Sequence, residues 1–372
     1  MPPFAFMTAT EILFGRGKAA QAAKRATELG RHVFLLHGAN ASRADWLAEA
    51  LKAKGSAVTR FSVGKEPDID LLSAAIAAAK GAEVIVSLGG GAVIDTGKAV
   101  AAMVPAIRPL MDHLEVVGKG MPLDIPPLPF IAIATTAGTG AEVTRNAVIG
   151  VPEHRRKVSL RDPRMLPRLA IVDPALTDHT PKSITLASGL DAITQVIEPY
   201  ISIRANPLTD ALCADAIPKG LTALRRLMEA EDAKARDTMA WVSLCGGMAL
   251  ANAGLGVIHG LAGPLGGLKP APHGAICGTL LPHGLAVNRA KVAEPTRIDQ
   301  VLDWISTAFG GQDPLRALTL WSRSHGLPTL VEMGLTPGDC ALAAEAALGS
   351  SSIRANPVAL DLADLHRILG AS

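Results

Sequence analysis

The feature that most constrains this chain is an alternation that holds for about half its length and then stops. Up to the segment Ile171-Val172-Asp173-Pro174, short apolar runs alternate with longer runs rich in Ala and Leu. Residues 32–36, 58–62, 83–88 and 130–134 read as strands. Residues 43–53, 69–80 and 93–103 read as helices, with Ser42 placed to cap the first of them. Buried strands separated by helical stretches predict a parallel sheet covered on both faces. Beyond residue 174 long helical runs dominate, at 184–201, 207–229, 231–254 and 314–324. The expected architecture is a two-domain α/β plus all-α chain. A parallel-sheet domain occupies 1–180 and an all-helical domain 181–372, with the break where Asp178, Thr180 and Pro181 interrupt the pattern. The string Ile-Arg-Ala-Asn-Pro occurs at 203–207 and 353–357 with unlike flanks, and reads as two Asn-Pro turns rather than a duplication.

Composition removes several function classes. A hydrophobic fraction of 49% with 19% charged residues excludes a mostly disordered chain. A net charge of +2 gives no footprint for a nucleic acid, and 3% aromatics argues against base-stacking platforms. Cys213, Cys245, Cys277 and Cys340 form no CxxC pair, so a zinc-finger spacing is absent and reduced thiols are expected. No signal-like segment opens the chain, and no apolar run approaches the roughly 20 residues needed to cross a bilayer. The expectation is a cytoplasmic protein with no nucleic-acid or membrane partner.

Two loops carry the first chemical signal. Gly89-Gly90-Gly91 ends one expected strand and opens the next helix, where bare backbone can approach a phosphate and free N–H groups can hold its charge. The strict GxGxxG fingerprint is absent, and a tight turn alone would also use these glycines. Thr135-Thr136-Ala137-Gly138-Thr139-Gly140-Ala141-Glu142-Val143-Thr144 is a second small-residue loop after a strand. Two such loops on neighbouring parallel strands would line the crevice where open α/β sheets bind ligands.

The second signal lies in the helical half. Asp191 and Gln195 are four apart on one helix and share a face, and His259 and His273 sit in glycine-rich surroundings fourteen residues apart. One carboxylate, one amide and two imidazoles could hold a divalent ion. The commoner use of a histidine on an apolar face is a hydrogen-bonded core position.

These segments together resemble the iron-containing, or group III, alcohol dehydrogenases, along almost the whole chain. The resemblance begins at Ile12-Leu13-Phe14-Gly15-Arg16-Gly17, runs through 89–98, and is most specific over 129–148. It continues through 166–174, 189–200, Asn206-Pro207, 259–273 and 351–357. It implies the two-domain fold of dehydroquinate synthase-like proteins, an N-terminal Rossmann-like NAD(P)-binding domain and a C-terminal helical domain, with cofactor and metal in the cleft between them. It implies NAD or NADP, and Fe2+ or alternatively Zn2+ held by Asp191, Gln195, His259 and His273. The usual family residue at Gln195 is histidine, and a further family histidine near the nicotinamide is replaced by Gly263.

The resemblance places Gly90 and Gly91 at the pyrophosphate and Asp95 near the nicotinamide carboxamide or ribose. Thr135, Thr136 and Thr139 fall on the adenine or phosphate side, and Lys157 near the nicotinamide ribose. Read without the resemblance, Lys157 is solvent-facing charge in the run Arg155-Arg156-Lys157. Gly38 replaces the Asp common in NAD-preferring relatives, which removes a repulsion toward a 2′-phosphate, and Arg43 stands nearby in sequence. The implied reaction is hydride transfer between a nicotinamide and a small alcohol or aldehyde in a homodimer or larger homo-oligomer. Two alternatives stay open: reduction of an oxoacid, as by maleylacetate reductases, and a non-catalytic cofactor-binding protein with a degenerate metal site.

Overall fold

The computed structural model describes residues 3–372, which form two compact units. One comprises Thr8–Thr136 and Gly140–Thr177; the other comprises Asp178–Ser372 together with Ala137–Thr139 and residues 3–7.

The first unit contains eight strands: β1 (Ile12–Phe14), β2 (His32–Gly38), β3 (Ala57–Val63), β4 (Val84–Gly89), β5 (Phe130–Ala134), β6 (Asn146–Val151), β7 (Arg156–Arg161) and β8 (Leu169–Val172). Six form one all-parallel sheet in the order β1-β8-β5-β4-β2-β3. The central strands are apolar on both faces because both faces are covered. Along β2, Phe34 and Leu36 enter one buried cluster and Val33 and Leu35 the other. The chain leaves β2 outward to β3 and then returns to β4, β5 and β8, so the order reverses between β2 and β4. Open sheets of this kind bind ligands outside the carboxyl ends of the strands that flank such a reversal. Gly38 ends β2 and Gly89 ends β4.

The expected strands and helices of this half are present with shifts of a few residues at their ends. Ser42 is not the expected cap: Asn40 Oδ1 accepts from both the Ser42 backbone N–H, at 3.1 Å, and its hydroxyl, at 2.7 Å. Asn40 therefore starts a single 3-10 turn, and the α-helix begins only at Asp45. The antiparallel hairpin β6–β7 was not legible, because it alternates partly polar residues without a glycine-asparagine turn.

The second unit is all-helical around a single apolar core. Helices at Lys182–Ile201, Pro207–Glu229, Ala233–Ala253 and Pro314–Ser324 match the expected runs. Helices at Val257–Leu268, His273–Lys291, Thr296–Phe309, Pro337–Leu348 and Leu362–Ala371 were not read from the sequence. The first two carry Pro264 and Pro282 in their interiors, and the first also has four glycines, so propensity argues against the helix that burial enforces. The repeated Asn-Pro strings have different uses. Asn206 caps its own helix, accepting from Leu208 N and Thr209 N at 3.2 Å each. Asn356 accepts from Val257 N at 3.0 Å and so caps a helix far away in sequence. No single helix among the described residues is long and apolar enough to cross a membrane.

Candidate metal centre and nucleotide loops

Three helices of the second unit bring the metal candidates together. Asp191 projects from Lys182–Ile201, His259 from the first turn of Val257–Leu268, and His273 opens His273–Lys291. Glycine permits the last approach. A Cβ on Gly274 would lie 2.2 Å from the Ala187 carbonyl oxygen and 3.1 Å from the Asp191 Cβ, so a larger residue would drive the His273 helix away from Asp191.

The donor atoms converge. His259 Nε2 lies 3.4 Å from Asp191 Oδ1, and His273 Nε2 lies 3.9 Å from the same oxygen. Cys277, one turn after His273, puts Sγ 3.6 Å from His273 Nε2. One donor atom from each of Asp191, His259, His273 and Cys277 fits within 4.8 Å of all the others. Asp191 Oδ1 and His259 Nε2 are buried and have no hydrogen-bond partner. Buried polar atoms are rarely left so, and a shared cation is the partner that satisfies an oxygen and a nitrogen lone pair at once. These side chains fit a divalent ion.

Electrostatics agree with that fit. Burial works against a charged His259, but the sulfur of Cys277 and the carboxylates of Glu198 and Asp191 hold its pKa well above the ordinary value. Burial likewise opposes ionisation of Asp191, and the facing imidazoles outweigh it and keep the carboxyl below its usual range. Such a cluster attracts positive charge.

Two contributors escaped the sequence reading. Glu198 is seven residues after Asp191, two helical turns along the same face. Its Oε2 lies 2.5 Å from His259 Nδ1, and its Oε1 accepts from the Ile258 N–H at 2.7 Å. It thereby satisfies the start of the His259 helix and leaves Nε2 as the free nitrogen. Cys277 could have been found by the same face argument, four residues after His273. Gln195 lies one turn after Asp191, and its Nε2 donates to the Thr139 carbonyl at 2.6 Å. Around Gly263 a Cβ would meet nothing within 4 Å, so the position is open.

The starts of the two candidate nucleotide loops, at Gly89 and Thr135, sit side by side in the first unit. Gly89 pairs with Ala134 in the sheet, and Thr135 N donates to the Gly89 carbonyl at 3.0 Å. A Cβ on Gly89 would come within 2.4 Å of the Val93 side chain, so only glycine allows this strand-to-helix turn. The helix Gly91–Met103 has no side-chain cap at its N-terminus, and a Cβ on Gly90 would lie 3.1 Å from Thr136 Oγ1. An uncapped helix start beside a threonine hydroxyl has the donors that hold a phosphate.

Asp95 and Lys157 are engaged within the same unit. Asp95 Oδ1 is 3.2 Å from the buried Lys98 Nζ, and its Oδ2 accepts from Val148 N at 3.0 Å. Burial pushes the Asp95 pKa up and that of Lys98 down, each moderated by the other's charge. Lys157 stands on β7, mostly buried and ion-paired with Glu66, not on a solvated face. Gly38 has nothing within 4 Å of a built Cβ. Arg43 is exposed, with its guanidinium 3.3 Å from the Leu176 carbonyl. Thr139 falls with the helical unit, whereas Thr135 and Thr136 fall with the sheet.

Residues 9–174 match the family described as iron-containing alcohol dehydrogenase, and residues 185–372 match the C-terminal part of the Fe-containing alcohol dehydrogenase family. The chain belongs to the iron-containing alcohol dehydrogenases. Among its relatives, the 1,3-propanediol dehydrogenase of Klebsiella pneumoniae is 35% identical over 282 residues, covering 74% of this chain and 72% of the relative. The NAD-dependent methanol dehydrogenase of Bacillus methanolicus is 32% identical over 300 residues, covering 77% of this chain and 76% of the relative. A solved 1,3-propanediol oxidoreductase superposes with a TM-score of 0.89 at 30% identity, covering 99% of each chain. The protein is thus a metal-dependent NAD(P)-linked oxidoreductase acting on small alcohols or aldehydes, and its helical unit carries a cluster that can hold a metal ion.

Proposed function

We propose that this protein interconverts a short-chain alcohol and its aldehyde, with Asp191, His259 and His273 holding the divalent ion and Gln195 beside them. The observation that carries this reading is the pair of partnerless buried atoms, Asp191 Oδ1 and His259 Nε2, facing each other across 3.4 Å. When bound, Fe2+ or Zn2+ supplies Lewis acidity toward the substrate oxygen, and the nicotinamide supplies or accepts the hydride. The protein's own part is positioning. Glu198 accepts the Nδ1 proton of His259 and so fixes Nε2 as the ligating nitrogen. Gly90 and Gly91 offer backbone N–H groups to the pyrophosphate, with Thr135, Thr136 and Thr139 contributing from the neighbouring loop. Asp95, oriented by Lys98 and Val148, and Lys157 serve the nicotinamide half, and Gly38 the adenosine ribose. The two relatives named for 1,3-propanediol and methanol support short alcohols as the substrate class.

A homodimer or larger homo-oligomer is proposed on the family resemblance. A cytoplasmic site is supported by four unpaired cysteines, three of them buried. The deciding assay couples NAD and NADP separately to a panel of C1–C4 alcohols, diols and their aldehydes. Turnover with at least one short alcohol supports the reading; turnover only with oxoacids contradicts it. Light scattering on the purified protein tests the assembly.

A further inference from the structure

We propose that Cys277 is a ligand of the metal, giving one carboxylate, two imidazoles and one thiolate in place of a third imidazole. The inference deepens the metal-dependent reading above and rests on it.

Position comes first. Cys277 and His273 are four residues apart on His273–Lys291, so their side chains share a face. That face meets Asp191 and His259, and the four donor atoms lie within 4.8 Å of one another. Zinc bonds of about 2.0–2.1 Å to nitrogen or oxygen and about 2.3 Å to sulfur imply tetrahedral edges of about 3.4 Å and 3.6 Å respectively. The His259 Nε2 to Asp191 Oδ1 separation is 3.4 Å, and the Cys277 Sγ to His273 Nε2 separation is 3.6 Å. The remaining measured edge, His273 Nε2 to Asp191 Oδ1, is 3.9 Å.

The second observation is independent of the cysteine. Asp191 Oδ1 and His259 Nε2 are buried, lack hydrogen-bond partners and face this same point. Gln195, which stands where the family's metal-binding histidine is usual, has its Nε2 committed to Thr139 and offers at most a neutral amide oxygen. Charge also favours the thiolate. A carboxylate and a thiolate together cancel a dipositive ion, which lowers the cost of burying it. Thiolate is a softer donor than imidazole and a usual ligand of divalent metals such as zinc.

Binding requires no redox partner. The Sγ–H proton leaves to solvent, a sulfur lone pair forms the metal bond, and no electron is transferred.

Cobalt substitution tests the assignment directly. Protein stripped with a chelator is reloaded with Co2+ and its absorption spectrum recorded, alongside Cys277→Ser and Gln195→Ala. The expected result is a near-ultraviolet thiolate-to-cobalt charge-transfer band in the wild type and in Gln195→Ala. Cys277→Ser should keep the visible ligand-field bands, lose the charge-transfer band and bind zinc at least about tenfold more weakly. Cobalt bound in the wild type without the charge-transfer band overturns the role of Cys277 and leaves the metal-dependent reading standing. No cobalt bound at all overturns both. Should Cys277→Ser fail to fold, the wild-type spectrum alone decides.

Discussion

His259 Nδ1 and Glu198 Oε2 lie 2.5 Å apart, both side chains almost wholly buried. A carboxylate on the far nitrogen of a metal-binding imidazole fixes its tautomer and raises its donor strength. Replacing Glu198 with Gln is therefore expected to weaken metal binding by about 10–100-fold. Chelator competition measures this, with circular dichroism to show that the fold persists. Unchanged affinity would reduce Glu198 to its hydrogen bond with the Ile258 N–H.

Lys98 is a fully buried lysine whose Nζ donates to Thr144 Oγ1 at 2.8 Å and to the Asn146 carbonyl, and pairs with Asp95. Lys98→Met strands the Asp95 carboxylate in the interior. The expected loss is about 3–5 kcal/mol, read from chemical unfolding of the sheet unit. Lys98→Met combined with Asp95→Asn is expected to recover part of that loss, because the stranded charge is gone. A double variant as unstable as the single one would show that the lysine acts only through its backbone and hydroxyl contacts.

Glu142 is buried beside Lys98, and burial raises its pKa from 4.5 to about 7. A carboxyl whose folded-state pKa exceeds its unfolded one binds more protons when folded, so it costs stability as pH rises. The cost grows between about pH 4.5 and pH 7 and is constant above that, with a ceiling of about 3 kcal/mol from the 2.5-unit shift. Glu142→Gln is expected to lose this slope. Unfolding curves at pH 5 and pH 8 check it: the variant should gain on the wild type at the higher pH.

Gly38 ends β2 with open space around it, so Gly38→Asp should fold normally. A carboxylate there repels a 2′-phosphate and can bind ribose hydroxyls. The expected outcome is a drop of about tenfold or more in kcat/KM for NADP relative to NAD. An equal effect on both cofactors removes Gly38 from the ribose.

How much of this was legible depended on which force shaped each segment. Strands such as β2 and β5 were readable because burial on both faces demands unbroken apolar runs. The helices that carry His259 and His273 were not, because they accept glycine and proline to pack closely, and local propensity then points the wrong way. Gly274 is the clear case: it looks like a helix breaker and is the residue that lets His273 approach Asp191. Asp191, His259 and His273 could be named from sequence because they matched a family pattern. Glu198 and Cys277 were missed, since their contacts depend on which helix faces which, although each lies a whole number of turns from a residue already singled out. Lys157 reads as exposed in a basic run, yet its side chain is mostly buried and ion-paired with Glu66.

The central claim is that turnover depends on a metal held in the helical unit. The direct measurement is metal content by mass spectrometry and NAD(P)-coupled alcohol oxidation, followed on one preparation through chelation and re-addition of Fe2+ or Zn2+. The account predicts near one ion per chain, parallel loss of metal and turnover, and joint recovery. Turnover that persists in fully stripped protein would contradict it.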